Sequence, residues 1–263
     1  MGSLYPAVLT RPRLLVGLGL GLLAALAWAY TLWLAAHMTM PEMGSTGMAM
    51  AMPNPVPWSL GQAGFMFVMW TVMMVAMMVP SAAPMILVFH RVASDRAAKG
   101  QPAVPTAVFL GGYLAVWTGF SAAATAAQWG LHDAALLLPT MAAASPLLGG
   151  ALLAAAGVFQ LTPLKHACLA RCRTPLGFLL TEWREGTRGA WEMGLRHGAF
   201  CTGCCWALMA LLFVGGVMNL LWVAALALVV LGEKVLPRGE LLGKLGGVAL
   251  IAWGAWVALG GLG

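Results

Sequence analysis

Residues 197–232 read HGAFCTGCCWALMALLFVGGVMNLLWVAALALVVLG, a run of 36 positions without Asp, Glu, Lys or Arg. A helix crosses the hydrocarbon core with ~20 apolar residues, so this run is too long for one straight span and just enough for two of ~17. Arg196 precedes it and Lys234 and Arg238 follow it. Two crossings keep those flanks on one side, whereas a single crossing would strand Lys234, Arg238 and Lys244 opposite Arg196. The bias of Lys and Arg toward one face of a membrane therefore predicts a hairpin turning at Gly215-Gly216-Val217-Met218-Asn219.

The same reasoning extends in both directions. The chain has 263 residues, of which 61% are hydrophobic and only 8% charged, with a mean hydropathy of +0.87. A soluble domain carries roughly 25% charged residues, which excludes that class. The net charge of +6 does not point to nucleic acid, because the basic residues sit in short clusters between charge-free runs and mark topology. Downstream, Glu233, Lys234, Arg238, Glu240 and Lys244 form a short loop, and 245–263 is a last span. We read Glu233-Lys234 as a snorkelling pair at the interface.

Upstream, Arg11 and Arg13 precede a first span over 14–36. It exceeds the ~7–15 residues of a signal-peptide core, which favours a retained helix. Residues 37–59 form a Met-rich loop without Lys or Arg, and a second span follows from Leu60 to about Phe89. Its Pro80 and Pro84 are expected to kink or end the helix. A third span runs to about Trp129 and a fourth to Leu161, and 164–197 is a polar loop. Seven spans place all fourteen Lys and Arg on the N-terminal side, leaving Glu42 and Asp133 opposite. The expected fold is all-α: one integral membrane domain over 1–263, a polytopic helix bundle of about seven spans with the N-terminus cytoplasmic and the C-terminus periplasmic.

The residues that carry chemistry are soft donors. Cys168 and Cys172 stand at i and i+4, and Cys201 shares a helix face with Cys204 and Cys205. Both pairs fall on the cytoplasmic side, where thiols stay reduced. Together they can make a four-sulfur site, with His166 and His197 as nitrogen donors, suited to zinc, Cu(I) or an iron–sulfur centre. The other reading is that cysteine packs helices as a small apolar residue. On the exterior side, His37, Met38, Met40 and Met43 head a thioether-rich loop, and Met69, Met73 and Met77 recur at helical spacing down the second span. Thioethers select Cu(I) over harder ions, although methionine also fills membrane cores. A Ser/His/Asp triad is not indicated, and no GxxxxGK[ST] phosphate loop is present, so the chain encodes no ATP-driven pump.

Several stretches together carry a resemblance: Met69-Trp70 through Met73-Met74-Val75-Ala76-Met77-Met78-Val79-Pro80-Ser81, Thr162-Pro163-Leu164-Lys165-His166-Ala167-Cys168 to Cys172, Gly198 to Met209, Gly216-Val217-Met218-Asn219 and Glu233-Lys234. From Leu60 to Gly263 the chain resembles a bacterial domain-of-unknown-function family described as predicted metal-binding integral membrane proteins. The resemblance implies a six-span core over 60–263 and puts forward Cys168, Cys172, Cys201, Cys204 and Cys205 as metal residues. The copper preference comes from the methionines alone.

The expectation is a non-enzymatic, multi-pass protein of the bacterial inner membrane that binds and transfers a transition metal. Copper is the expected ion, with zinc or iron as alternatives. The lipid bilayer is its surroundings, and a metallochaperone or a membrane complex is the expected partner. The competing class is a non-catalytic membrane subunit or assembly factor whose sulfur residues pack against that partner.

Overall fold

The computed structural model describes residues 12–38, 58–138 and 141–260. Met40 and Met43 lie outside the described residues. The described chain is helical, without a β-strand. Ten helices follow in order: α1 (Pro12–Met38), α2 (Leu60–Ala97), α3 (Thr106–Asp133), α4 (Pro146–Gln160), α5 (Pro163–Arg173), α6 (Pro175–Glu182), α7 (Gly186–Ala210), α8 (Leu212–Gly215), α9 (Leu220–Val235) and α10 (Gly239–Ala258).

Local chemistry sets these boundaries. Ser59 and Gln62 close a capping box at the start of α2, each side chain bonded to the other's backbone N–H, at 3.2 and 2.8 Å. Proline opens α4, α5 and α6, where its missing N–H costs nothing. Pro80 and Pro84 do not end α2, which continues to Ala97. In that turn the Met78 carbonyl takes hydroxyl donors from Ser81 (2.9 Å) and Tyr113 (3.2 Å). The carbonyls that Pro80 and Pro84 leave without a backbone donor are those of Ala76 and Pro80, one turn before each. The hairpin turn falls where the charge pattern puts it: Gly216 has φ +89°, and Asn219 caps α9 by accepting from Trp222 N at 3.2 Å.

Among the described residues five helices are long and apolar enough to cross a membrane, α7 counting together with α8, and α4 with α5 passes the same test as a pair bent by 64° at its break. Residues 164–197, expected as a loop, are instead α5, α6 and the first half of α7. The contacts orient three helix pairs. Trp70 meets Gln128, Met78 meets Tyr113 and Phe89 stacks on Phe109 at 4.2 Å, so α2 and α3 are antiparallel. Glycines let two pairs approach to backbone distance. Between the parallel α3 and α7, a Cβ at Gly112 or Gly194 would overlap the opposite backbone. Between the antiparallel α4 and α10, a Cβ at Gly150 would sit 2.6 Å from Gly254 O, and one at Gly157 2.6 Å from Gly247 O.

The connections gather at two ends. At one, Arg96 in the last turn of α2 pairs with Glu185 before α7, and Arg173 of α5 donates to Leu236 O at 2.8 Å and Pro237 O at 2.9 Å between α9 and α10. At the other, Trp58 packs on Trp129 and His132, and Ala143 N bonds Phe213 O at 2.7 Å. The first is the basic end.

Candidate metal centre

The bend at Thr162-Pro163 builds the site. Thr162 caps α5 by accepting from Lys165 N at 3.3 Å, and the turn lays α5 back against α7. Gly203 permits the approach, since a Cβ there would stand 2.9 Å from Cys168 Sγ. Cys172, one turn beyond, then reaches the thiols of Cys201 and Cys204, and Cys205 faces the same two sulfurs. Cys201, Cys204 and Cys205 are at most 1% exposed. Cys168 is half-buried at the edge, and all five thiols are free.

The thiols are not equivalent. Cys204 and Cys205 donate within their own helix to Cys201 O, at 3.0 and 2.9 Å. The Cys201 sulfur instead accepts from Lys234 Nζ at 2.9 Å and lies 3.1 Å from the Tyr113 hydroxyl. Lys234 is 8% exposed, and its other partner is Ser81 Oγ at 3.1 Å. An ammonium so placed, with hydroxyl and sulfur as partners, gives Cys201 the electropositive neighbour that favours a nucleophilic, metal-binding sulfur.

The preceding residue turns the other way. Glu233 Oε2 takes Lys165 Nζ at 2.7 Å, its Oε1 takes Gln160 Nε2 at 2.6 Å, and Lys165 also donates to the Gln160 carbonyl oxygen. Arg173 holds Glu233 O at 2.8 Å. Glu233 and Lys234 are thus not an interfacial snorkelling pair: both are buried, and each is bonded to a different helix. Tyr113, Ser81, Gln160 and Lys165 were not singled out from the sequence. The legible signal was a Glu-Lys pair closing an apolar helix, together with Lys165 straight after a Thr-Pro helix start.

The remaining predicted donors are distributed unevenly. His197 is 2% exposed one turn before Cys201. Its ring is stacked with Phe109 and Tyr113 and edge-on to Phe178, and its Nδ1 has no hydrogen-bond partner among the described residues. His166 on α5 has both ring nitrogens buried without such a partner. Met69, Met73 and Met77 are at most 2% exposed on α2, within the same core as the thiols. His37 is not near them: it ends α1 exposed, with Nδ1 2.7 Å from Trp33 O. Met38 is the last residue of that helix.

Among the described residues no group of three or more His, Cys, Asp or Glu side chains is disposed to hold a metal ion as it stands. The hydrogen bonds explain this. Lys234 occupies one side of the Cys201 sulfur, and the Cys204 and Cys205 thiols point at a carbonyl. Cys172, Cys201, Cys204 and Cys205 nevertheless bring four buried sulfurs into one cluster. Such a donor set is soft and dry, which suits Cu(I) better than ions that prefer oxygen.

A family model described as PpoB2, copper chaperone, matches residues 67–257. That range takes in all five cysteines, Met69, Met73, Met77, Lys165, Glu233 and Lys234, and leaves out His37, Met38, Met40 and Met43. No curated protein and no solved structure matches the chain. With well over half of its length matched, the chain belongs to the PpoB2 copper-chaperone family.

Proposed function

We propose that this protein is a multi-pass carrier of Cu(I) in the bacterial inner membrane, with Cys172, Cys201, Cys204 and Cys205 as the ion's principal seat. The observation that carries the reading is the approach of Cys172 from α5 to Cys201 and Cys204 of α7 inside the bundle. His197 and Cys168 flank the seat as auxiliary donors. Copper is the cargo, accepted by thiols and handed on by ligand exchange, down a gradient or to a metallochaperone or membrane partner. The buried methionines of α2 connect the seat toward the other end of the bundle, and the 37–59 segment is the proposed capture loop.

The alternating helix directions and the gathering of basic residues at one end support seven traversals, with the N-terminus in the cytoplasm and the C-terminus outside. α4 and α9, at 15 and 16 residues, are short for a ~20-residue crossing. Their polar termini at Gln160, Glu233 and Lys234 extend them into the buried charge network.

The test is a Cu(I) titration against a chromogenic competitor, on the full chain in detergent, wild type beside Cys172→Ser/Cys201→Ser/Cys204→Ser. Loss of the tightest site in the variant is expected. An unchanged stoichiometry and affinity would sink the thiol seat. A second reading, a non-catalytic subunit or assembly factor, draws on the in-helix bonds of Cys204 and Cys205, which are those of packing cysteines. Elemental analysis of protein purified with its native partners separates the two, since that reading expects a metal-free complex.

A further inference from the structure

We propose that Met66 and Met141 form a second soft-metal site, a two-thioether seat for a monovalent ion at the end of the bundle opposite the basic loops. Only the choice of ion rests on the copper reading above, because this pair shares no residue with the thiol seat.

Gln128 is the centre of the argument. It is 0% exposed, and its Oε1 accepts from Trp70 Nε1 at 2.7 Å. That bond fixes the amide's orientation, because an indole N–H can only donate. The NH2 group must therefore face the other way, where Met141 Sδ lies at 3.2 Å and Met66 Sδ at 3.9 Å. Both sulfurs thus lie on the nitrogen side of one amide, Met141 the nearer. Thioethers are weak acceptors, and a buried amide normally finds oxygen. A leucine at 128 would pack the same space without burying an amide. What the glutamine adds is a jig that orients two sulfurs from segments 75 positions apart.

The backbone supports the same conclusion. Met141 has φ +60°, a left-handed conformation that costs a non-glycine residue energy and that surrounding structure must hold in place. Here it is held: Met141 N bonds Leu138 O at 2.8 Å, Ala143 N bonds Phe213 O at 2.7 Å and Ala144 N bonds Leu136 O at 2.9 Å. This turn places the Met141 sulfur at Gln128.

Each thioether sulfur has two lone pairs, and an N–H bond engages one. The other is available to a cation without loss of a proton. Neutral sulfur ligands of this kind take Cu(I) or Ag(I) and leave zinc and harder ions in water. The seat is therefore selective by donor type, and it stands at the end of α2 from which Met69, Met73 and Met77 lead inward.

Residue-resolved oxidation tests the seat. The full chain in detergent is treated with hydrogen peroxide with and without one equivalent of Ag(I), the redox-silent analogue of Cu(I), and sulfoxide at each methionine is followed by mass spectrometry. Slower oxidation of both Met66 and Met141 with Ag(I) is expected. In Met141→Leu, Met66 should lose that protection although its own helix is untouched. Equal oxidation of the two methionines with and without Ag(I), or full protection of Met66 in Met141→Leu, overturns the proposal. Should the variant not fold, the wild-type footprint decides alone. The Cys172→Ser/Cys201→Ser/Cys204→Ser chain separates the two readings. Protection at Met66 and Met141 with no change in tight Cu(I) binding on losing the thiols leaves this seat standing and removes the other.

Discussion

Lys165 and Glu233 are 0% and 2% exposed at the side chain and 2.7 Å apart, and Gln160 bonds both. Removing Lys165 alone, as Lys165→Met, leaves the Glu233 carboxylate buried with only an amide N–H and no countercharge. Breaking a buried pair from one side costs about 3–5 kcal/mol. The reverse change, Glu233→Leu, strands an ammonium at 0% exposure, with a loss in the same range. The double variant Lys165→Met/Glu233→Leu removes both charges and fills the space with apolar atoms. Replacements of that kind are near neutral or stabilising by about 1–4 kcal/mol. A double-mutant cycle on reversible unfolding in mixed micelles should therefore give a coupling of several kcal/mol, with the double variant well above either single variant. Equal losses that simply add would refute the reasoning, because they would mean that each group is solvated or paired independently of the other.

Three further outcomes follow from the packing and the topology. Tyr113→Phe removes one donor to Met78 O and the hydroxyl beside Cys201; a loss of about 0.5–1.5 kcal/mol is expected in the same unfolding assay, while Phe89–Phe109 stacking and bundle assembly persist. Gly157→Leu places a side chain where a Cβ already comes within 2.6 Å of Gly247 O, so α10 should part from α4; size-exclusion chromatography should show a loss of the monodisperse species, and a normal profile would contradict the close crossing. A phosphatase fused after Gly263 should be active and a fluorescent protein at the same position dark if the seven traversals proposed above put that end outside; the converse pattern would require an even number.

The hairpin turn and the grouping of Cys201, Cys204 and Cys205 were legible because they depend on local quantities: a charge-free length, a flanking sign and a helical repeat. The convergence of Cys172 with that group was legible only as a candidate, since it requires α5 to fold back at Thr162-Pro163. Pro80 and Pro84 misled for a related reason. Each removes a backbone donor, but a membrane helix survives where its neighbours hold it, and the neighbours of α2 come from distant parts of the chain: Tyr113 lies 35 positions from the Met78 carbonyl it bonds.

The buried lysines show why charge counting reaches the topology and misses the site. Counting treats Lys165 and Lys234 as boundary marks, and both do lie at helix ends toward the basic side. Whether such a residue ends in water or in the core depends on whether a partner waits inside. Glu233 lies 68 positions from Lys165, and Cys201 lies 33 from Lys234, beyond the reach of any local pattern. The two outcomes also carry different functional content. Lys165 meets a carboxylate, and the pair closes on itself as structure. Lys234, one residue from that carboxylate, meets a thiol and a hydroxyl instead. A helix turns consecutive side chains about 100° apart, so Glu233 and Lys234 are bound to face different neighbours. That rotation divides one Glu-Lys dipeptide between the scaffold and the cysteine cluster.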